Sequence, residues 1–177
     1  MATSTTRLMT FAEFQEIPDP SGGHYELHHG ELIRVGNPKF PHVRAQWQLR
    51  RLLEQAAGSA GVVKEEMPYR PLPEHESWRA DVVYISKARW ESIDEYLLGA
   101  PELVIEVLSP SNTVEELIEQ RNLCLENGSR EFWVVNAKRR HVEVSTPDGR
   151  TVTYKSGQEI PLFFGGSLAV DAIFPQS

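Results

Sequence analysis

Two carboxylates sit where carboxylates are expensive. Asp81 lies in the run Arg79-Ala80-Asp81-Val82-Val83-Tyr84-Ile85, and Glu106 lies inside Leu103-Val104-Ile105-Glu106-Val107-Leu108. An ionised carboxylate in an apolar strand needs a cation, hydrogen bonds or a proton. Strand side chains alternate between faces, so one acid can point away from the core while its neighbours stay inside. If the two strands are neighbours, a separation of 25 positions (106 − 81) brings both acids to one sheet edge. Two carboxylates that close repel unless positive charge stands between them. One solution is a hard divalent cation such as Mg²⁺, held by oxygen ligands and retained water. Such a site activates water and stabilises charge developing on a phosphoryl group. The other solution is structural: two edge carboxylates, each paired with a nearby Arg. The spacing leaves both open.

Other polar residues carry weaker readings. Glu26 and Glu31 lie on an early hairpin, where solvated charge accounts for them, and Glu65 and Glu66, on a strand before Asp81, are weaker candidates for an acidic cluster. His42 starts a helix behind Pro41, where it either packs locally or meets a phosphate or water at a positive helix terminus. His24, His28 and His29 lack the convergent partners a zinc site needs. Arg44, Arg50 and Arg51, with Lys138-Arg139-Arg140, are the evident footprint for a phosphate backbone in an acidic chain. Trp133 and Cys124 read as core residues.

The elements that must position these groups follow from patterning. Thr10 with Glu13 is a capping box for a short helix over 11–16, after a loose leader over 1–9. A β-hairpin is expected around His28-His29-Gly30. The clearest helix spans His42–Ala57, with Ala45, Leu49, Leu52, Leu53 and Ala56 near one face. Strands follow over 62–69 and 80–85, then an irregular helix over 88–98 and a central strand over 102–108. Asn112 or Thr113 caps a helix ending at Asn127-Gly128. A strand over 131–136 and a hairpin around Pro147-Asp148-Gly149 complete the order, with one or two short elements after them. Helices and strands in this order give a mixed sheet flanked by helices, α/β or α+β.

The 177 residues suit one domain, taken as 10–177, large enough to bury a core without staples. A net charge of −7 argues against a general nucleic-acid coat protein, but not against an acidic site with a local basic patch. A single cysteine excludes an internal disulfide and fits a reducing cytoplasm. No apolar run is long enough to span a membrane, and nothing suggests export.

The chain resembles the Uma-two-type restriction endonuclease family within the PD-(D/E)xK nuclease superfamily. The resemblance runs from about Met9 to Phe174. It is carried by Met9-Thr10-Phe11-Ala12-Glu13-Phe14, Tyr25-Glu26-Leu27, Gly30-Glu31-Leu32, His42, Ala80-Asp81-Val82-Val83, and above all by Glu106-Val107-Leu108-Ser109-Pro110-Ser111 in its strand. Gly128 followed by Glu131-Phe132-Trp133-Val134-Val135 completes it. The resemblance implies a restriction-endonuclease-like fold with Asp81 and Glu106 as ligands for catalytic Mg²⁺ or Mn²⁺. It makes Glu26 a possible outer member of the acid cluster. The family's Lys stands eight residues before the Gly, a position that Gln120 fills here, and Ala80 replaces the family's Pro. Gln120 orients water but carries no charge, and Arg121 beside it is a candidate substitute. Both residues flank an inward line through Leu117 and Cys124. The expected activity is phosphodiester hydrolysis, with DNA as partner and a homodimer as assembly. The alternative is a catalytically silent relative that binds nucleic acid or a protein.

Overall fold

A computed structural model describes residues 7–110 and 112–174. The leader expected over 1–9 lies largely outside these residues. Met9, within them, is fixed: its N–H donates to the Gly30 carbonyl at 3.0 Å.

The early elements form as their local chemistry dictates. Helix α1 (Phe11–Gln15) carries the Thr10/Glu13 capping box. Strands β1 (Gly23–His28) and β2 (Glu31–Gly36) pair antiparallel with His28 opposite Glu31. That register leaves a two-residue turn, His29-Gly30, with φ of +51° and +77°. Both central residues of a type I′ turn need positive φ, which Gly adopts freely and His at a small cost. Helix α2 (Phe40–Ala57) starts two residues before the expected His42, with Pro41 in its first turn. Proline is tolerated there because its missing N–H has no helical partner.

Six strands make the main sheet. In sequence they are β3 (Gly61–Tyr69), β4 (Trp78–Ser86), β5 (Leu103–Val107), β6 (Glu131–Asn136), β7 (His141–Ser145) and β8 (Thr151–Tyr154). They lie in that spatial order, antiparallel throughout except for the parallel β5–β6 pair. Helix α3 (Lys87–Glu91) follows β4 and helix α4 (Val114–Glu126) makes the β5–β6 crossover. A small hairpin, β9 (Glu159–Pro161) with β10 (Ser167–Ala169), and helix α5 (Val170–Ile173) close the chain. The irregular helix expected over 88–98 stops at Glu91. Beyond it the chain is drawn to the sheet instead, with Arg70 N–H donating to Leu97 O and Gly99 N–H to Arg70 O.

Two apolar layers sandwich the sheet. On one face, Leu49, Leu53 and Ala57 of α2, with residues of β9, β10 and α5, cover Val63, Val82, Leu103, Ile105 and Trp133. On the other, Cys124 of α4 packs with Tyr69, Ala80, Val83, Val104 and Phe132. Trp133 and Cys124 are therefore core residues, as expected. Among the described residues no helix is long and apolar enough to cross a membrane.

One irregularity bears on the site. Ala80 and Val82 are two residues apart on β4 and yet lie in opposite layers. Regular alternation forbids this. Tyr69 and Val63 on β3, six apart, do the same. The change of face falls between the pairs Glu65↔Val82 and Met67↔Ala80, where Glu66 stands opposite Asp81. Glu66 takes a φ of +50° there, a conformation costing about 1–2 kcal/mol for a residue with a side chain. The kink turns Asp81 out of the alternation that would otherwise govern it.

Candidate active site

Asp81 and Glu106 are brought together. The last pair between β4 and β5 towards this end is Val82↔Ile105, so the next antiparallel step sets Asp81 opposite Glu106. No further pair forms. Instead Asp81 Oδ2 accepts the Val107 backbone N–H at 2.6 Å, replacing the ladder with a side-chain bond. Helix α2 supplies the remaining contacts. His42 Nε2 and Gln46 Nε2 each lie 2.9 Å from Asp81 Oδ1. These two residues are one helical turn apart and share a face. Gln46, only 3% exposed, also donates to Glu66.

Glu106 is held from the opposite layer. Its Oε1 accepts the Gln120 Nε2–H at 2.8 Å, and both residues are 8% exposed. Gln120 reaches further, to the Tyr69 hydroxyl at 3.3 Å, which lies 3.2 Å from Cys124 Sγ. Gln120 is thus itself the inward residue of α4, together with Cys124, rather than a flank of that line. The loop before α4 is fixed locally: Thr113 caps the helix with Glu116, and Asn112 turns back to the Ser109 N–H at 2.8 Å.

Arg121 goes elsewhere. It lines a shallow cleft with Asn122, Ser145, Thr146 and Arg150, between α4 and the β7–β8 turn. At one residue from Gln120 it is rotated about 100° around the helix, which carries it away from Glu106. The substitute role for Arg121 is therefore not supported by its position.

Glu26 joins the cluster from β1. Its Oε1 lies 3.0 Å from His24 Nε2 and its Oε2 2.7 Å from His28 Nε2. The histidines clasp a carboxylate rather than assembling a zinc site. Burial pushes the Glu26 carboxyl up, but the two histidines outweigh it and hold its titration below the usual range. Glu106 behaves oppositely. Burial raises its carboxyl well above the usual range, the Asp81, Glu26 and Glu66 charges add to this, and the Gln120 hydrogen bond opposes it only in part. His42 is raised too: burial works against its charged form, but the Asp81 hydrogen bond and the Asp81 and Glu66 charges prevail. Burial also pushes the Cys124 thiol up to about 12, so it is inert as a nucleophile.

The donor set suits a hard cation. Four carboxylates act on one another, and neither Asp81 nor Glu106 meets an Arg or Lys among the described residues. That disposes of the structural reading in which each acid pairs with an arginine. A carboxylate offers about four lone-pair directions. Asp81 uses three and Glu106 one, so acceptor capacity remains on both. Among the described residues no three His, Cys, Asp or Glu side chains close a complete metal cage. Mg²⁺ does not require one, since it is commonly held by one or two carboxylates with water and substrate phosphate.

Sequence reasoning passed over Gln46 entirely, although its i+4 spacing from His42 is a visible signal. It also passed over Glu76, which is 2% exposed and accepts from Trp78 Nε1 at 2.5 Å and from the His29 N–H at 3.1 Å. The basic residues divide. Arg50 is engaged by Glu54 at 3.0 Å and Glu65 at 3.7 Å. Arg44 and Arg51 sit on the exposed side of α2, over the rings of Phe40 and Trp47 at 5.1 and 5.7 Å. The Lys138–Arg140 turn follows β6, whose parallel pairing with β5 (Val107↔Val135) sets it at the same end of the sheet as Glu106.

Fold and site together define a mixed α+β protein with paired acids where the β4–β5 ladder ends. The family model described as "Uma2: Putative restriction endonuclease" matches residues 11–171, and the chain belongs to that family. No functionally curated protein matches it. Among solved structures it is similar to one described as a putative nuclease belonging to DUF820 from Anabaena variabilis, with a TM-score of 0.83 and 20% identity. That alignment covers 94% of this chain and 97% of the other, and shows the likeness of fold.

Proposed function

We propose that this chain is a divalent-metal-dependent nuclease that hydrolyses phosphodiester bonds in DNA, with Asp81 and Glu106 holding Mg²⁺ or Mn²⁺. The observation that carries this reading is the opposition of the two acids where the β4–β5 ladder ends, without an Arg or Lys partner among the described residues. When bound, the metal supplies an activated water and charge stabilisation at the phosphoryl group.

The chain's own residues prepare that site. His42, Gln46 and the Val107 N–H fix the Asp81 carboxylate in one orientation from three sides. Such outer hydrogen bonds lock ligand geometry and commonly matter 10- to 100-fold, on the order of magnitude, in metal affinity or activity. Gln120 holds Glu106 from the opposite side. Arg44 and Arg51 on α2, together with the Lys138–Arg140 turn, give the phosphate backbone positive charge around an acidic centre. A two-fold pair of chains would present one site to each strand, and we take a homodimer in the cytoplasm as the working form.

Gln120 favours a second reading, a catalytically silent relative that binds nucleic acid. Its amide satisfies Glu106 but places no positive charge beside the nucleophile. Plasmid cleavage in Mg²⁺ or Mn²⁺ separates the two. The enzyme reading expects wild type to cut, Glu106→Ala to abolish cutting, and Gln120→Lys to accelerate it by about 100-fold. Cutting that appears only in Gln120→Lys establishes the silent reading. Equal cutting by Glu106→Ala refutes the site.

A further inference from the structure

We infer that the half-open cavity between α1, β1, the outer half of the β3–β4 ribbon and the segment after α3 receives the base of an unpaired nucleotide beside the acid cluster. The inference builds on the nuclease reading and specifies the form of its substrate. The cavity measures about 340 Å³, within the range of about 300–1,000 Å³ that small-ligand sites occupy. Phe11 and Tyr96 form an aromatic wall, edge to face with ring centroids 5.0 Å apart. The Arg70 guanidinium lies 3.6 Å over the Phe11 ring.

The polar lining is unusual. Arg70 and Arg79 both line the cavity, and the Nε of each is buried without a hydrogen-bond partner among the described residues. Buried donors without acceptors are costly and rare, and both of these belong to arginines of this lining. The lining also contains the acidic residues Asp19, Glu26 and Glu95. These disfavour a phosphate or other anion inside. Aromatic walls with both donors and acceptors suit a neutral, planar, hydrogen-bonding ring, which describes a nucleobase. Tyr69 belongs to this lining, and its hydroxyl accepts from the same Gln120 amide that donates to Glu106, so cavity and acid cluster adjoin. A base seated here leaves its own phosphate outside, on the side of Asp81 and Glu106. Bases in an intact duplex are stacked and paired, so the entering base belongs to a single-stranded stretch.

Fluorescence anisotropy with a labelled oligonucleotide, in a chelator so that nothing is cut, tests this with the full chain. A single strand, DNA or RNA, is expected to bind more tightly than its duplex. Arg79→Met and Tyr96→Ala are each expected to weaken single-strand binding by about 5- to 150-fold and duplex binding by less than about twofold. Tyr96 is 40% exposed, so its truncation leaves the fold intact even if Arg79→Met does not. Duplex binding as tight as single-strand binding, no binding of either strand type, or indifference to Tyr96→Ala overturns the inference. Because the assay needs no catalysis, its failure alongside normal plasmid cutting leaves the nuclease reading standing. Base-dependent binding without any cutting does the reverse.

Discussion

Glu106 is the residue on which the electrostatics converge. Its carboxyl is raised by burial first and by Asp81, Glu26 and Glu66 after it. The folded state therefore binds its proton more tightly than the unfolded chain does, so the penalty is absent at low pH. It grows as pH rises above the ordinary carboxyl value of 4.5 and is complete above the raised folded value. In metal-free buffer at pH 8, Glu106→Gln should stabilise the fold by at least about 1 kcal/mol, or about 2–4 °C of melting temperature for each kcal/mol. At pH 4 the difference should vanish, and calorimetric scans at the two pH values check it. His42 runs with the opposite sign. Its raised folded value means it stabilises the fold below the ordinary 6.5 and loses this as pH rises through the folded value. His42→Gln should cost stability at pH 6 and little at pH 9, by thermal melts across that range. The two acids were legible in sequence because a lone carboxylate in an apolar strand is conspicuous. Gln46 was not, because a neutral amide on a helix has many bland uses.

At the scale of elements, the site depends on a kink. The β3–β4 ribbon changes face at Glu66 and Asp81, and this turns Asp81 to receive His42 and Gln46 from α2. Sequence periodicity assigned the strands and helices closely, since hydrophobic alternation and capping boxes are local signals. It did not reveal the kink, because nothing in Lys64-Glu65-Glu66-Met67 requires a left-handed residue. It also overextended α3, because the pull of Arg70 on Leu97 and Gly99 is a tertiary effect. Helix α2 serves two purposes: one side orients Asp81, and the exposed side carries Arg44 and Arg51. If that exposed side meets phosphate, Arg44→Ala with Arg51→Ala should weaken DNA binding uniformly across sequences. The slope of log affinity against log salt should fall by about 2. A salt titration of binding shows it; an unchanged slope removes α2 from the interface.

For the whole molecule, the sheet order explains how an acidic chain sets positive charge beside its two acids. Parallel pairing of β5 with β6 puts the Lys138–Arg140 turn at the end of the sheet that carries Glu106. Antiparallel pairing of β4 with β5 puts Asp81 there as well. Neighbouring strands were the condition on which the sequence reading of the site rested, and the register meets it. Arg121 shows the limit of that reading: adjacency in sequence placed it near Gln120, but the helix turned it to another cleft. The central claim is that Asp81 and Glu106 jointly hold a divalent ion, and calorimetric titration of the protein with Mn²⁺ tests it most directly. The account predicts one ion per chain, tighter with rising pH because Glu106 must lose its proton. It further predicts affinity weaker by at least about tenfold in both Asp81→Ala and Glu106→Ala. Absence of binding, or binding that neither substitution alters, would contradict it.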